Sequence, residues 1–256
     1  MKSIKQFKIR AEKNNKKGAP EVMETLNKNE AFIVKYKKII IAGVVLLFVI
    51  VAGVLSFKSC QSKKMDEAST KLAAVQTQFD EVVPAESMMA DSLLQQQYQL
   101  MLNGDSKTAV AGFLKIANDY SSTKAANLAN LYAGLCYADM GQWKEAAQYL
   151  EKFDGKDDAM VSPAAKGALG NAYANLGQLD KAVETLKDAA EKADNMTVSP
   201  GLYIQAGEIL ESQNKNADAL KMYEAAKKYI DLMPAEVQQG MQRMNIDAYI
   251  ERVNLK

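Results

Sequence analysis

The side chains best suited to chemistry in this sequence are two cysteines, Cys60 and Cys136, and the chain contains no histidine. Histidine is the commonest general base, the commonest metal ligand and the usual partner of a Ser or Cys nucleophile. The two cysteines lack metal-ligand spacing and fall in segments assigned to different structural units, so no disulfide between them is expected. No Gly-rich phosphate loop, nucleophile elbow or HExxH motif occurs. The sequence therefore predicts a protein without catalytic residues, metal or cofactor.

An enzyme built on this sequence would have to use Asp, Glu, Lys, Tyr or Cys136 alone. Cys136 lies between Leu135 and Tyr137 in a segment of helical pattern, where a packed thiol is the expected state. These observations favour a protein that binds other molecules through a surface, and such a surface needs elements to present it.

The composition indicates that those elements are helices. Ala, Leu, Lys, Glu, Gln and Met abound, whereas 5 Pro, 14 Gly and 7% aromatic residues provide little of the turn chemistry of a β-rich fold. The 48% apolar content is ordinary for a chain that buries a core. We therefore predict an all-α fold.

Residues 39–57 form a continuous apolar stretch, IIIAGVVLLFVIVAGVLSF, without a charged side chain. Nineteen helical residues at ~1.5 Å each cross a hydrocarbon layer of about 30 Å. A buried core helix is the alternative, but it would need protein on every side. A cleaved signal peptide is disfavoured because 38 residues, many of them charged, precede the stretch. We predict a single transmembrane helix and, as its partner, the lipid bilayer.

Positive charge is concentrated before this span. Residues 1–38 contain eleven Lys or Arg against four Asp or Glu, and residues 58–256 carry a net charge of about −6. The positive-inside rule places the basic flank in the cytoplasm and exports the rest. Nucleic-acid binding by the basic flank is disfavoured because stacking aromatics are not interleaved with its charges. Residues 1–38 are predicted to be a cytoplasmic tail with a short amphipathic helix after Pro20, which rests on lipid headgroups or docks a membrane partner.

The remainder repeats with a period of 36 to 37 residues. Small residues recur in two columns and larger ones in a third, which suits antiparallel helix pairs that approach closely and stack. The members of these columns that we assign to structure are Gly134, Tyr137, Ala146, Gly170, Tyr173, Ala182, Gly207, Ala219 and Tyr223. A weaker first copy places Gln97, Leu100, Ala109, Phe113 and Ile116 in the corresponding columns.

A turn residue follows the first column by seven positions in each copy. Residues that tolerate a left-handed backbone occupy this offset, namely Gly104, Gly141, Gly177 and Asn214. We predict that each ends one helix and starts its antiparallel partner.

This pattern, with the pairs Leu169-Gly170, Ala133-Gly134 and Ala206-Gly207, resembles the tetratricopeptide repeat (TPR) family. The resemblance implies about four repeats over residues 90–233, at 90–123, 127–160, 163–196 and 200–233. We expect a linker helix at 58–89 that covers the first repeat, and a capping helix at 234–256, because the ends of a repeat array must be covered.

TPR arrays bind partners along the groove lined by the first helix of each repeat. The resemblance implies a partner-binding groove formed by Tyr98, Tyr132, Leu135, Asp139, Asn171, Asn175, Gln205 and Glu208. Solvated polar side chains on helix surfaces are the alternative interpretation of the two asparagines. The positions where TPR co-chaperones hold a terminal carboxylate with Lys or Arg are Leu128, Tyr132, Ala164 and Ala168 here, so extended or helical segments with apolar side chains are the favoured ligands.

The order of parts, including the segment EAFIVKYKK before the span, resembles the YfgM-type TPR proteins of the bacterial inner membrane. This resemblance implies a non-enzymatic periplasmic scaffold whose partners are subunits of the Sec translocon, a membrane-anchored periplasmic chaperone and newly exported chains. The run YSSTKAANLANLYAGLCY is also similar to TPRs of outer-membrane assembly and division-coordination proteins, which leaves an envelope-biogenesis adaptor as the alternative. The sequence does not predict an oligomeric state.

Overall fold

A computed structural model describes residues 46–82, 91–156, 158, 160–234, 237 and 245–255. The predicted cytoplasmic tail, its amphipathic helix and residues 39–45 of the predicted span lie outside the described residues. So do residues 83–90 at the end of the predicted linker helix, and most of the stretch 235–244 in the predicted capping helix.

The chain divides into two units, Met1–Ser62 and Lys63–Lys256. Helix α1 (Leu46–Val82) begins in the first unit, where its side chains up to residue 57 are exposed. Its apolar portion is long and hydrophobic enough to cross a membrane, with a mean hydropathy of 1.4 over an 18-residue window.

The second unit consists mainly of antiparallel helix pairs, which confirms the predicted all-α repeat fold. After the α1 residues of this unit come α2 (Asp91–Asn103), the two-residue strands β1 (Gly104–Asp105) and β2 (Val110–Ala111), α3 (Phe113–Asp119), α4 (Lys124–Asp139), α5 (Trp143–Leu150), α6 (Val161–Asn175), α7 (Leu179–Ala193), α8 (Ser199–Ser212), α9 (Asn216–Ile230) and α10 (Ile246–Asn254).

Each turn column adopts the backbone predicted for it. Gly104, Gly141, Gly177 and Asn214 all have positive φ, between 59° and 90°. At the three later turns the chain then enters the second helix of the pair. A residue with a left-handed backbone ends a helix, and Gly adopts this backbone without steric strain because it has no Cβ. The predicted left-handed backbone is confirmed at all four positions, but the prediction that a helix follows each turn is wrong at Gly104, where a β-hairpin begins.

The two columns of small residues lie where the paired helices meet. A Cβ on Gly134 or Gly170 would lie 2.6 Å from the Cγ of Leu150 or Leu186, respectively. The equivalent Cβ on Gly207 would collide with the ring of Tyr223. The alanines of the second helices are completely buried, namely Ala146, Ala182 and Ala219. Tyr173 and Tyr223 are also buried, whereas Tyr137 is half-buried and stacks on Tyr149 at 5.5 Å.

The first repeat departs from the others. We predicted that Ala109 occupies the buried small-residue column of a second helix, and this prediction is wrong. Ala109 is exposed in the β1–β2 turn with φ 57°. In this hairpin Gly112 lies against the backbone of Asn103 and Gly104, without room for a Cβ. The second helix therefore starts only at Phe113.

The part of α1 in the second unit covers this first repeat. Its buried positions recur at alternating three- and four-residue intervals, the spacing of a helix with one buried stripe. They are Ala68, Leu72, Val75, Phe79 and Val82. The Phe79 ring lies 6.4 Å from Phe113 and 5.1 Å from Tyr132. Between Ala68 and Val82, α1 thus covers the first repeat.

The reactivity of the Cys136 thiol reports on the packing of α4. Its thiol is buried and its pKa is raised, chiefly by desolvation. Cys60 is exposed. Because only an accessible thiolate reacts, we expect maleimide to modify Cys60 within minutes and to leave Cys136 unmodified until the protein is unfolded in denaturant. Peptide mass spectrometry measures both sites in one sample. Modification of both at equal rates in the native protein would contradict the packed position of Cys136.

Candidate protein-binding face

Three helices present matching stripes of side chains on the side opposite their buried glycines. Each stripe has spacing i, i+4, i+7 and i+11, which keeps its members on one face of a helix. We call these positions the A-helix face. They are Leu128, Tyr132, Leu135 and Asp139 on α4, Ala164, Ala168, Asn171 and Asn175 on α6, and Gly201, Gln205, Glu208 and Ser212 on α8. Contacts between α4 and α6, and between α6 and α8 near Gly167 and Leu202, hold the stripes side by side.

The chain's own helix α1 covers one end of the predicted groove. Tyr98 is completely buried, and its ring lies 6.5 Å from that of Phe79. Tyr132 stacks on Phe113 at 5.2 Å, and its pKa is raised, mainly by burial and then by Asp80. The prediction that Tyr98 faces a ligand is therefore wrong, and Tyr132 also packs against α1. Both rings hold α1 on the first repeat.

Helix α10 engages the other end. The hydroxyl of Tyr249 donates to Glu208 at 3.0 Å. Arg252 forms two hydrogen bonds to the Glu211 carboxylate, at 2.9 and 2.7 Å. The hydroxyl of Tyr223 donates to the same carboxylate at 3.0 Å. Bidentate Arg–carboxylate pairs fix geometry as well as adding energy, so this cluster holds α10 in place as a cap.

The open part of the face lies between these two ends. It carries five of the predicted groove residues, namely Leu135, Asp139, Asn171, Asn175 and Gln205, which are half-buried or exposed. The amide of Asn175 donates to the backbone oxygen of Asn171 at 2.9 Å. The amide of Asn171 makes no side-chain hydrogen bond within the described residues, and the Oε1 atom of Gln205 is buried without a partner there. The amide of Asn171 can therefore pair with an incoming polypeptide backbone, whereas the Gln205 oxygen is enclosed by the protein.

The floor of the open part is formed by small side chains. Ala164 and Ala168 stand where a longer side chain would project, and a Cβ on Gly201 would meet nothing within 4 Å. Leu128 and Leu135 flank them with apolar surface. A shallow apolar floor with a few amides suits an extended or helical polypeptide segment.

Hydrogen bonds and ion pairs between consecutive repeats keep the stripes aligned. These contacts were not predicted from the sequence. Glu151 accepts hydrogen bonds from the Tyr173 hydroxyl and from Lys181, which lies 3.8 Å from the centre of the Tyr173 ring. The Tyr173 bond is the main cause of the lowered pKa of Glu151. In the next repeat, Lys215 binds Asp180 at 2.7 Å. Only the recurrence of charges at loop-flanking positions could have indicated these pairs.

Within the described residues, no group of three or more Cys, Asp or Glu side chains is placed to hold a metal ion. The comparisons with known proteins concern the fold. A family model described as "Tetratricopeptide repeat-like domain" matches residues 30–248, a range that includes the predicted span. No curated protein matches the chain.

Two solved structures are similar to the chain over 72% of its length, each with a TM-score of 0.49 and 13% identity. They are the nearly identical TPR-like repeats of a kinesin light chain-like protein from Podosopora anserina, of which the match covers 95%, and a single-substitution variant of the same protein, of which it covers 94%.

Proposed function

Because this chain belongs to the tetratricopeptide repeat-like family, we propose that it is a membrane-anchored scaffold that binds other proteins through the A-helix face. Proteins with this repeat fold are typically non-enzymatic scaffolds for protein–protein interaction. The observation that carries the proposal is the open part of the A-helix face, where the Asn171 amide makes no side-chain hydrogen bond within the described residues and lies beside a floor of small residues.

The membrane anchor is supported by the exposed apolar part of α1. Phe48 and Phe57 expose 69% and 71% of their surfaces, and the helix has the length and hydropathy of a span. The family match extends across this segment. The excess of Lys and Arg before it favours an N-terminus in the cytoplasm and an exported second unit. In a bacterium, this arrangement presents the A-helix face to the periplasm from the inner membrane.

The resemblance to YfgM-type proteins supports a role beside the Sec translocon and a membrane-anchored periplasmic chaperone. An anchored face raises its effective concentration toward chains that emerge nearby, so weak binding of each chain is sufficient. The alternative is an adaptor in envelope biogenesis, supported by the similarity of the segment YSSTKAANLANLYAGLCY to repeats of outer-membrane assembly and division proteins.

Site-specific crosslinking in intact cells tests the proposal. A photoreactive amino acid at Asn171 of the full-length protein should capture translocon subunits, the periplasmic chaperone or exported chains, identified by mass spectrometry. The matched control is Glu184, an exposed residue on the second helix of the same repeat. The same captured proteins from both positions would contradict binding through the A-helix face. Capture of outer-membrane assembly or division proteins at Asn171 alone would favour the alternative.

A further inference from the structure

The helix pairs of the second unit end in two different edges. Because consecutive helices are antiparallel, the turns within pairs lie at one edge and the loops between pairs at the other. The turn edge contains the residues 140–142, 176–178 and 213–215. The inter-repeat edge contains the loops 120–123, 151–160, 194–198 and 231–234 and the N-termini of α2, α4, α6 and α8.

Exposed large apolar side chains are concentrated at the inter-repeat edge. Among the described residues of the second unit, the turn edge and the nearby end of α10 expose Leu176 and Leu255. The inter-repeat edge and the chain segments next to it expose Met65, Leu93, Leu128, Met160, Val161, Met196, Leu232 and Val237. Among these side chains, Leu232 has the largest exposed fraction, at 73%. The turn edge carries polar residues instead, including Gln142 and Gln178.

The entering chain arrives at this same edge. Lys71 of α1 donates to the Tyr120 hydroxyl at 2.7 Å, and Tyr120 ends α3 at the inter-repeat edge. Phe79, two turns later, contacts Phe113 at the opposite end of α3. Within the second unit, helix α1 therefore runs antiparallel to α3, and its residues 63–70 lie toward the inter-repeat edge. From Phe57 to Met65 there are eight residue steps, at most about 29 Å even if fully extended.

Two clefts at this edge combine apolar walls with lysines. One, of about 470 Å³, is lined by Phe153, Lys156 and Lys192, among others. The other, of about 350 Å³, adds Lys124 and Leu128. Apolar side chains bordered by lysines suit the boundary between headgroups and acyl chains, since a Lys stem lies on apolar surface while its ammonium reaches phosphate.

Three described acidic side chains of this edge accept hydrogen bonds from nearby groups. Asp158 accepts hydrogen bonds from the backbone N–H groups of Met160 and Val161, at 2.9 and 2.6 Å. Asp154 accepts one from the N–H of Lys156 at 3.0 Å. Asp194 accepts one from the hydroxyl of Tyr229 at 2.8 Å. Their charges are partly compensated within the loops that hold them, so they oppose lipid contact less than free carboxylates would.

We propose that the inter-repeat edge of the second unit rests on the lipid surface of the membrane that holds the anchor. This proposal rests on the proposed function, because it takes the apolar part of α1 as a span. The occupant is lipid because α1 enters the second unit at this edge, and only eight residue steps separate Met65 from the end of the apolar stretch at Phe57. The A-helix face, which runs between the two edges, then stands upright on the membrane, with the N-termini of α4, α6 and α8 nearest the lipid.

Fluorescence quenching in vesicles tests the proposal with the full-length protein. In a Cys60→Ser background, single cysteines replace Leu232 and Met196 at the inter-repeat edge, and Gln142 and Gln178 as matched controls at the turn edge. Each carries an environment-sensitive fluorophore in vesicles of phosphatidylethanolamine and phosphatidylglycerol whose headgroups bear nitroxides. Helix α8 has 14 residues, which separates the edges by ~21 Å, so we expect about threefold stronger quenching at the first pair.

A fluorophore at Leu47 separates this proposal from the anchor itself. Quenching at Leu47 by acyl-chain nitroxides, together with equal quenching at both edges, would overturn the edge contact and leave the anchor standing. Failure to quench Leu47 would overturn the anchor and the edge contact with it. A second variant tests the cause: Leu232→Asp, at a position that exposes 73% of its surface, should weaken quenching at the Met196 site. Unchanged quenching there would also count against the contact.

Discussion

Replacement of Phe79 by Ala is expected to destabilise the first repeat by about 3–5 kcal/mol, the usual cost of removing a buried Phe side chain. Phe79 is 9% exposed and its ring contacts those of Tyr98, Phe113 and Tyr132. Hydrogen exchange of the full-length protein in detergent measures the effect as lost protection of amides in α2 and α3.

The effect should be confined to one end of the array. In a stacked array each repeat contacts only its neighbours, so amides in α8 and α9 should keep their protection. Glu81→Ala, at an exposed position on the same helix, serves as the matched control and should change stability by no more than about 0.5 kcal/mol. Unchanged protection of α2 and α3 in the Phe79 variant would mean that α1 is not part of the first repeat's core.

This dependence on α1 bears on how much of the groove is available to a ligand. Tyr98 and Tyr132 pack against α1, and Glu208 binds Tyr249 of α10. The positions left for a ligand are those on α4, α6 and α8 between these two helices. A ligand that needed the first repeat would have to displace α1 against the packing energy of its five buried side chains.

The turns and the columns of small residues could be predicted from the sequence because the backbone conformation or close contact that each position requires is set within one repeat. A left-handed turn selects Gly or Asn wherever the repeat places it, and Asn214 satisfies the rule as well as Gly141 does. A buried glycine such as Gly170 can also be predicted from the sequence, because the residue that leaves no room for a side chain there, Leu186, belongs to the same repeat.

The exposure of the groove residues could not be predicted in the same way. Tyr98 and Asn171 both fit the stripe of a first helix, but α1 covers one and leaves the other open. That difference depends on packing between segments distant in the sequence. The bond between Glu208 and Tyr249, which joins residues 41 positions apart, is of the same kind. The misplaced Ala109 has a different cause, because an unrecognised hairpin delayed the start of α3 to Phe113.

Two glycines on α8 should respond to the same substitution with opposite sign. A Cβ on Gly207 collides with the ring of Tyr223, which is completely buried. That ring cannot move aside freely, because its hydroxyl donates to Glu211 and its face lies 5.1 Å from Tyr249. We expect Gly207→Ala to lower the free energy of unfolding of the α8–α9 pair by about 1–3 kcal/mol, the usual cost of overpacking.

Gly201→Ala is the matched control, since the same methyl group there meets nothing within 4 Å and the backbone of Gly201 is helical. It should raise stability by about 0.4–1 kcal/mol by restricting the unfolded chain. Hydrogen exchange of α8 and α9 amides measures both changes on one scale. Equal effects at the two positions would mean that helix propensity alone governs α8. A loss at Gly207 with a gain at Gly201 would show instead that the small-residue column is required by the contact with Tyr223.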